Sequence, residues 1–161
     1  MKTMEEMKNH YNHYDSWILS LKQMSNDGWF QPVQEGKWSA AEIVAHLIAW
    51  DRFTLDQRLG KLKENAVLAP FPDFQSVNDR AAEYAKSGIT KDELIAEFIE
   101  VRSAAVDAFL KFEGEEHQFH FKIGNHLFTI ASYMEDFIGH DLHHKAQIDA
   151  FLEKNESTGI A

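Results

Sequence analysis

His140 and His144 stand four residues apart in the run Gly139-His140-Asp141-Leu142-His143-His144-Lys145-Ala146-Gln147-Ile148. A helix of ~3.6 residues per turn stacks side chains at i and i+4 one above the other. Two imidazoles placed this way can grip one metal ion from a single helix. Two ligands make an incomplete site, so a third has to come from elsewhere. His46 is the candidate, inside the helical run Trp38-Ser39-Ala40-Ala41-Glu42-Ile43-Val44-Ala45-His46-Leu47-Ile48-Ala49-Trp50-Asp51. Three neutral imidazoles leave a divalent ion with its full charge and at least one open position. A water bound there is acidified toward pKa ~7, and a thiol bound there is delivered as thiolate.

The helix carrying the pair can be phased at ~100° per residue. With Ile130 as zero, Tyr133, Met134, Phe137, Ile138, Ile148, Phe151 and Leu152 fall within about 80° of it. His144 falls at about −40°, inside that face, and His140 at about −80°, on its edge. His143 falls at about −140°, on the polar side, and is set aside. His46 lies just beyond the edge of its own apolar face, beside Trp50. Asp141 and Asp51 sit near the centres of apolar faces, where a carboxylate needs a partner. Each fits support of a ligand imidazole or an ordinary buried ion pair. Asp141, Asp51 and Glu135 are the general bases that position allows, and none is singled out, so the catalytic residues stay unassigned. Trp50, Phe53, Phe71 and Phe74 either line an apolar pocket beside the metal or pack as core.

The elements that must hold these residues are helices. Met7, Tyr11, Tyr14, Ile18 and Leu21 repeat at helical spacing and predict a helix over 4–25, ended by Asn26-Asp27-Gly28. Ser39 with Glu42 is a capping-box pattern opening a second helix, with Gly60 as its stop. Residues 61–73, with Pro70 and Pro72, read as a loop, followed by a short helix from Phe74 or Ser76 to Ala85. Thr90 with Glu93 opens a long helix carrying Leu94, Phe98, Val101, Ala105 and Phe109. Residues 114–125 break the pattern, and the alternation of Phe119, Phe121 and Ile123 allows a short extended stretch. A last helix runs over 129–154. Four long amphipathic helices in one domain, 1–161, predict an all-α four-helix bundle with a short extra helix and long connecting loops.

Composition narrows the function. The chain has 161 residues, 44% of them apolar, enough for one hydrophobic core. There is no cysteine, which excludes disulfides, thiolate ligands and a cysteine nucleophile. The net charge of −10 disfavours phosphate backbones and anionic membranes, so neither nucleic acid nor a membrane is an expected partner. No apolar run approaches the ~20 residues needed to span a bilayer. The segment Met1-Lys2-Thr3-Met4-Glu5-Glu6 lacks an apolar signal core, so a cytoplasmic location is expected. His10, His13, His117, His120 and His126 have no motif role; His10 and His13, one turn apart on the first helix, could face the site, but the surface reading is favoured because spacing alone is weak evidence.

Two blocks give the chain a family likeness. The first is Trp38-Ser39, Glu42-Ile43, His46-Leu47 and Trp50-Asp51. The second is Phe128-Thr129, His140-Asp141, His144 and Gln147-Ile148. The stretch from Val77-Asn78 through Leu94 to Arg102 is also similar. In this order and separation the pattern resembles the DinB-like superfamily, also called YfiT-like metal-dependent hydrolases, over nearly the whole chain. The resemblance implies a four-helix bundle with one divalent ion, zinc or nickel foremost, on His46, His140 and His144. It implies frequent dimers. It also implies either hydrolysis or S-transfer from a low-molecular-weight thiol such as bacillithiol or mycothiol to a small-molecule substrate. A non-catalytic metal-binding or stress-response bundle is the competing reading.

Overall fold

The computed structural model describes residues 2–156. Its helices are α1 (Met4–Ser20), α2 (Asn26–Phe30), α3 (Ala40–Gln57), α4 (Phe74–Ala85), α5 (Lys91–Leu110) and α6 (Ile130–Asn155). Three short strands accompany them: β1 (Val67–Leu68), β2 (His120–Ile123) and β3 (His126–Thr129). Among the described residues no helix is long and apolar enough to cross a membrane.

Local chemistry sets the helix starts. Thr3 and Glu6 exchange side-chain and backbone bonds at the head of α1, and Ser39 and Glu42 do the same at α3. Thr90 accepts the Glu93 N–H at α5, and Thr129 caps α6. The first helix is shorter than its periodicity predicts. It stops at Ser20, and a 3-10 turn follows over Leu21–Gln23. Asn26-Asp27-Gly28 does not end a helix but begins α2. Ser25 takes extended backbone there, its side chain accepts the Gly28 N–H, and buried Trp29 anchors the turn in the core.

The four long helices form a ring in which α5 packs on α1 and α3, and α6 packs on α1 and α3. The bundle is as predicted, with a small sheet added in the order β1-β2-β3. β2 and β3 pair antiparallel from His120 opposite Thr129 to Ile123 opposite His126. That register leaves a two-residue turn, whose first residue, Gly124, takes φ 58°. β1, inside the predicted 61–73 loop, pairs parallel to β2. Phe121, Ile123 and Phe128 turn inward from this sheet and pack beside Tyr133 of α6.

The core is two apolar clusters with a polar layer where they meet. One gathers Ile18, Trp29, Ile43, Leu47, Phe98 and Ile148. The other gathers Met7, Tyr11, Phe109, Phe121, Met134 and Ile138. Between them stands Arg102 of α5, 2% exposed. Its Nε donates to Asp51 Oδ2 at 2.6 Å, and its Nη1 and Nη2 donate to Asp141 at 2.7 and 2.9 Å. The guanidinium also lies over the rings of Tyr11, Tyr14 and Phe98. One side chain therefore touches all four long helices.

Candidate metal centre

α3 and α6 bring His46, His140 and His144 together. His46 Nε2 lies 3.0 Å from His140 Nε2, and His144 Nε2 lies 3.1 Å from the same atom. Among the described residues this is the one group of histidines, cysteines and carboxylates able to share an ion. His46 and His144 are buried, while His140 is exposed to solvent. His143 is exposed, as its phase predicts, stands outside the cluster and packs edge-on against the His144 ring at 5.0 Å.

The other ring nitrogens decide what the three Nε2 atoms present. His46 Nδ1 donates to Asn78 Oδ1 at 2.9 Å. Trp50 Nε1, a donor only, also points at Asn78 Oδ1 at 3.1 Å, which fixes that atom as the amide oxygen. His144 Nδ1 donates to Gln147 Oε1 at 2.8 Å. With their protons on Nδ1, both rings turn bare Nε2 lone pairs toward His140. Lone pairs crowded this way repel unless a cation or a proton stands among them. The donor set thus fits a divalent ion held by neutral imidazoles, oriented by side chains behind them.

Burial lowers the pKa of all three rings. His46 is pushed from 6.5 to about 3 by burial, with the neighbouring histidines adding to it against the Asn78 bond. His140 is pushed to about 4 by burial and by His144. His144 is lowered by burial, which the Gln147 bond opposes. These shifts predict acid sensitivity. The unfolded chain binds protons on these rings below pH 6.5 and the folded chain resists, so stability falls as pH drops through that range. Asp51 works the other way. Burial raises its carboxyl to about 6 against the pull of Arg102, so the folded form takes up that proton first. Three rings outweigh one carboxyl. His46 alone costs about 2 kcal/mol between pH 7 and pH 5. Urea titrations of metal-free protein at the two pH values check this, and equal or higher stability at pH 5 refutes it.

A cleft of about 310 Å³ opens beside the histidines. It is lined by His46, His140, Trp50, Phe71, Phe74 and Asn78, and also by Thr54, Phe128 and Tyr133. The cleft reaches His46 and His140 but not His144. The Trp38 ring lies against His46 and His144, 4.8 and 6.3 Å away. Of the four aromatics expected at a pocket, Trp50, Phe71 and Phe74 line it. Phe53 does not, and packs edge-on against Trp50 instead.

The expected bases fare differently. Asp51 and Asp141 are locked by Arg102, which makes them the buried ion pair rather than free carboxylates. Glu135 accepts the Lys2 backbone N–H at 2.7 Å, and it is absent from the cleft. Asp136, which sequence reasoning missed, is the cleft carboxylate free of Arg102. It precedes His140 by four residues, the same spacing that singled out the histidine pair. His10 is not the surface histidine expected, because its Nε2 donates to Asp141 Oδ2 at 2.9 Å. His13, His117 and His126 are exposed.

A bundle of this connectivity with a three-histidine cluster between its second and last long helices defines a class, and comparison with known proteins agrees. The family model for the DinB superfamily matches residues 11–148. The chain belongs to the DinB superfamily. Its fold is similar to that of YfiT from Bacillus subtilis, described as a probable metal-dependent hydrolase with an unusual four-helix bundle topology. That match has a TM-score of 0.73 at 16% identity, and covers 96% of this chain and 90% of that one. No curated protein matches the sequence.

Proposed function

We propose that the chain is a metal-dependent enzyme that holds one divalent ion, zinc or nickel, on His46, His140 and His144. Its reaction is S-transfer from a low-molecular-weight thiol to a small electrophile, or hydrolysis. The observation that carries this reading is the convergence of three Nε2 atoms, two of them on residues that line an apolar cleft. An ion there would polarise a bound thiol or water and lower its pKa. Asn78 and Gln147 hold two of the ligand rings in the tautomer that leaves Nε2 free. Trp50, Phe71 and Phe74 exclude water and receive an apolar body. Asp136 is the carboxylate placed to take a proton at the mouth. A purely structural ion has no need of such a cleft, which favours an enzyme over a non-catalytic binding or stress-response module.

The test loads the protein with zinc or nickel and measures metal content and turnover. The substrates are haloaromatic electrophiles with a small thiol, and aryl esters without one. About one ion per chain is expected, with turnover removed by chelator. Asp136→Asn should lower ester hydrolysis about 10²-fold with metal content unchanged. Full loading without turnover on either substrate set would leave only the non-catalytic reading.

A further inference from the structure

A second buried arginine differs from Arg102 in making no ion pair among the described residues. Arg58 follows α3, its N–H donating to Thr54 O at 3.0 Å, and it is 1% exposed. Its Nη1 and Nη2 are both buried without a hydrogen-bond partner among the described residues. None of the ion pairs among those residues includes it. Its guanidinium is bracketed by rings, 4.5 Å from the Phe71 centroid and 5.1 Å from that of Phe53. Nearby, the Tyr133 hydroxyl is buried; among the described residues it has no hydrogen bond of good geometry, and its one polar side-chain neighbour of note is the Thr54 hydroxyl, which interacts with it weakly.

Tyr133 lines the cleft already described, together with Thr54, Phe71, His46 and His140, whereas Arg58 is outside that lining and is covered by the Phe71 ring. A buried guanidinium without a counter-ion is costly, and unpaired buried donors call for a ligand group that completes them. Two free η nitrogens form the planar fork that meets a carboxylate with two parallel bonds, and the phenol offers a third donor.

We infer that the cleft takes a small molecule bearing a carboxylate, received by Arg58 and Tyr133, with its apolar body along Trp50 and Phe74. The ligand's other end then lies at the histidines. That end rests on the metal-enzyme reading, whereas the acid-binding end does not. Phe71 is 43% exposed and belongs to a segment between β1 and α4 without secondary structure. Its ring covers the guanidinium and is the group the carboxylate displaces.

The test is calorimetric titration of the metal-free, full-length protein with 3-phenylpropionate and with 3-phenylpropanol, its neutral counterpart. The acid is expected to bind about tenfold tighter or more. Arg58→Met should bind both alike, and Tyr133→Phe should shrink the preference several-fold. Arg58→Met exchanges an unpaired charge for an apolar chain and is expected to fold at least as well as the parent. If it does not fold, Tyr133→Phe and the parent ratio decide. Equal affinities, undetectable binding of the acid, or a preference that survives these substitutions overturns the carboxylate site. Zinc titration of the parent separates the two readings. Acid preference without zinc binding removes the metal enzyme and keeps this site, and the reverse result removes only this site.

Discussion

Arg102→Met is expected to remove on the order of 3–5 kcal/mol of folding stability at pH 7. That is a large share of the ~5–15 kcal/mol that typically holds a domain together. The loss comes less from the missing bonds than from what stays behind. Asp51 and Asp141 are 2% and 0% exposed, and without the guanidinium each is a buried charge without its main partner. His10 reaches only Asp141. Urea unfolding measures the deficit, and it should narrow at pH 4, where a carboxyl can shed its charge by taking up a proton. Replacing all three by apolar residues, Arg102→Met with Asp51→Leu and Asp141→Leu, should recover much of the loss. A single Arg102→Met variant as stable as the parent would mean that the two carboxylates need no counter-charge.

His144→Ala is expected to abolish the stabilisation that zinc gives the folded chain. For one site, metal at 100 times its dissociation constant stabilises by about 2.7 kcal/mol. The parent should melt higher with zinc, and a chelator should reverse the shift. His144 is buried and Gln147 orients its ring, so its removal takes one of the three converging Nε2 atoms away. His143→Ala is the control: that ring is exposed and should leave the zinc effect intact. Zinc-independent melting of the parent, with zinc and nickel each supplied, would sink the metal reading.

The sequence made the metal candidates legible because ligands on one helix obey its period. Phase alone separated His140 and His144 from His143. His46 read as an edge position, yet it is 6% exposed, since Trp38 and α4 cover a flank that periodicity treats as rim. The carboxylates read correctly as needing a partner, but that partner stayed hidden. Arg102 follows Phe98 by four residues and precedes Ala105 by three, so it falls on the apolar stripe of α5. An arginine on such a stripe is the signal that could have found it. The sheet was half visible. Alternation marked β2, but β1 is two residues long and owes its shape to pairing with a segment more than fifty residues away, which no local pattern carries. Arg58 was invisible for a similar reason, because its seclusion depends on Phe71, from a loop beyond the helix.

Asn78 accepts from His46 and from Trp50, and it sits four residues after Phe74 on the same twelve-residue helix. Whatever presses on the Phe74 ring therefore presses on the helix that holds the His46 imidazole. A molecule entering the cleft leans on the latch of the imidazole beside it. The fit of the cargo and the aim of the His46 ring become one mechanical variable, set by how firmly a single short helix is seated.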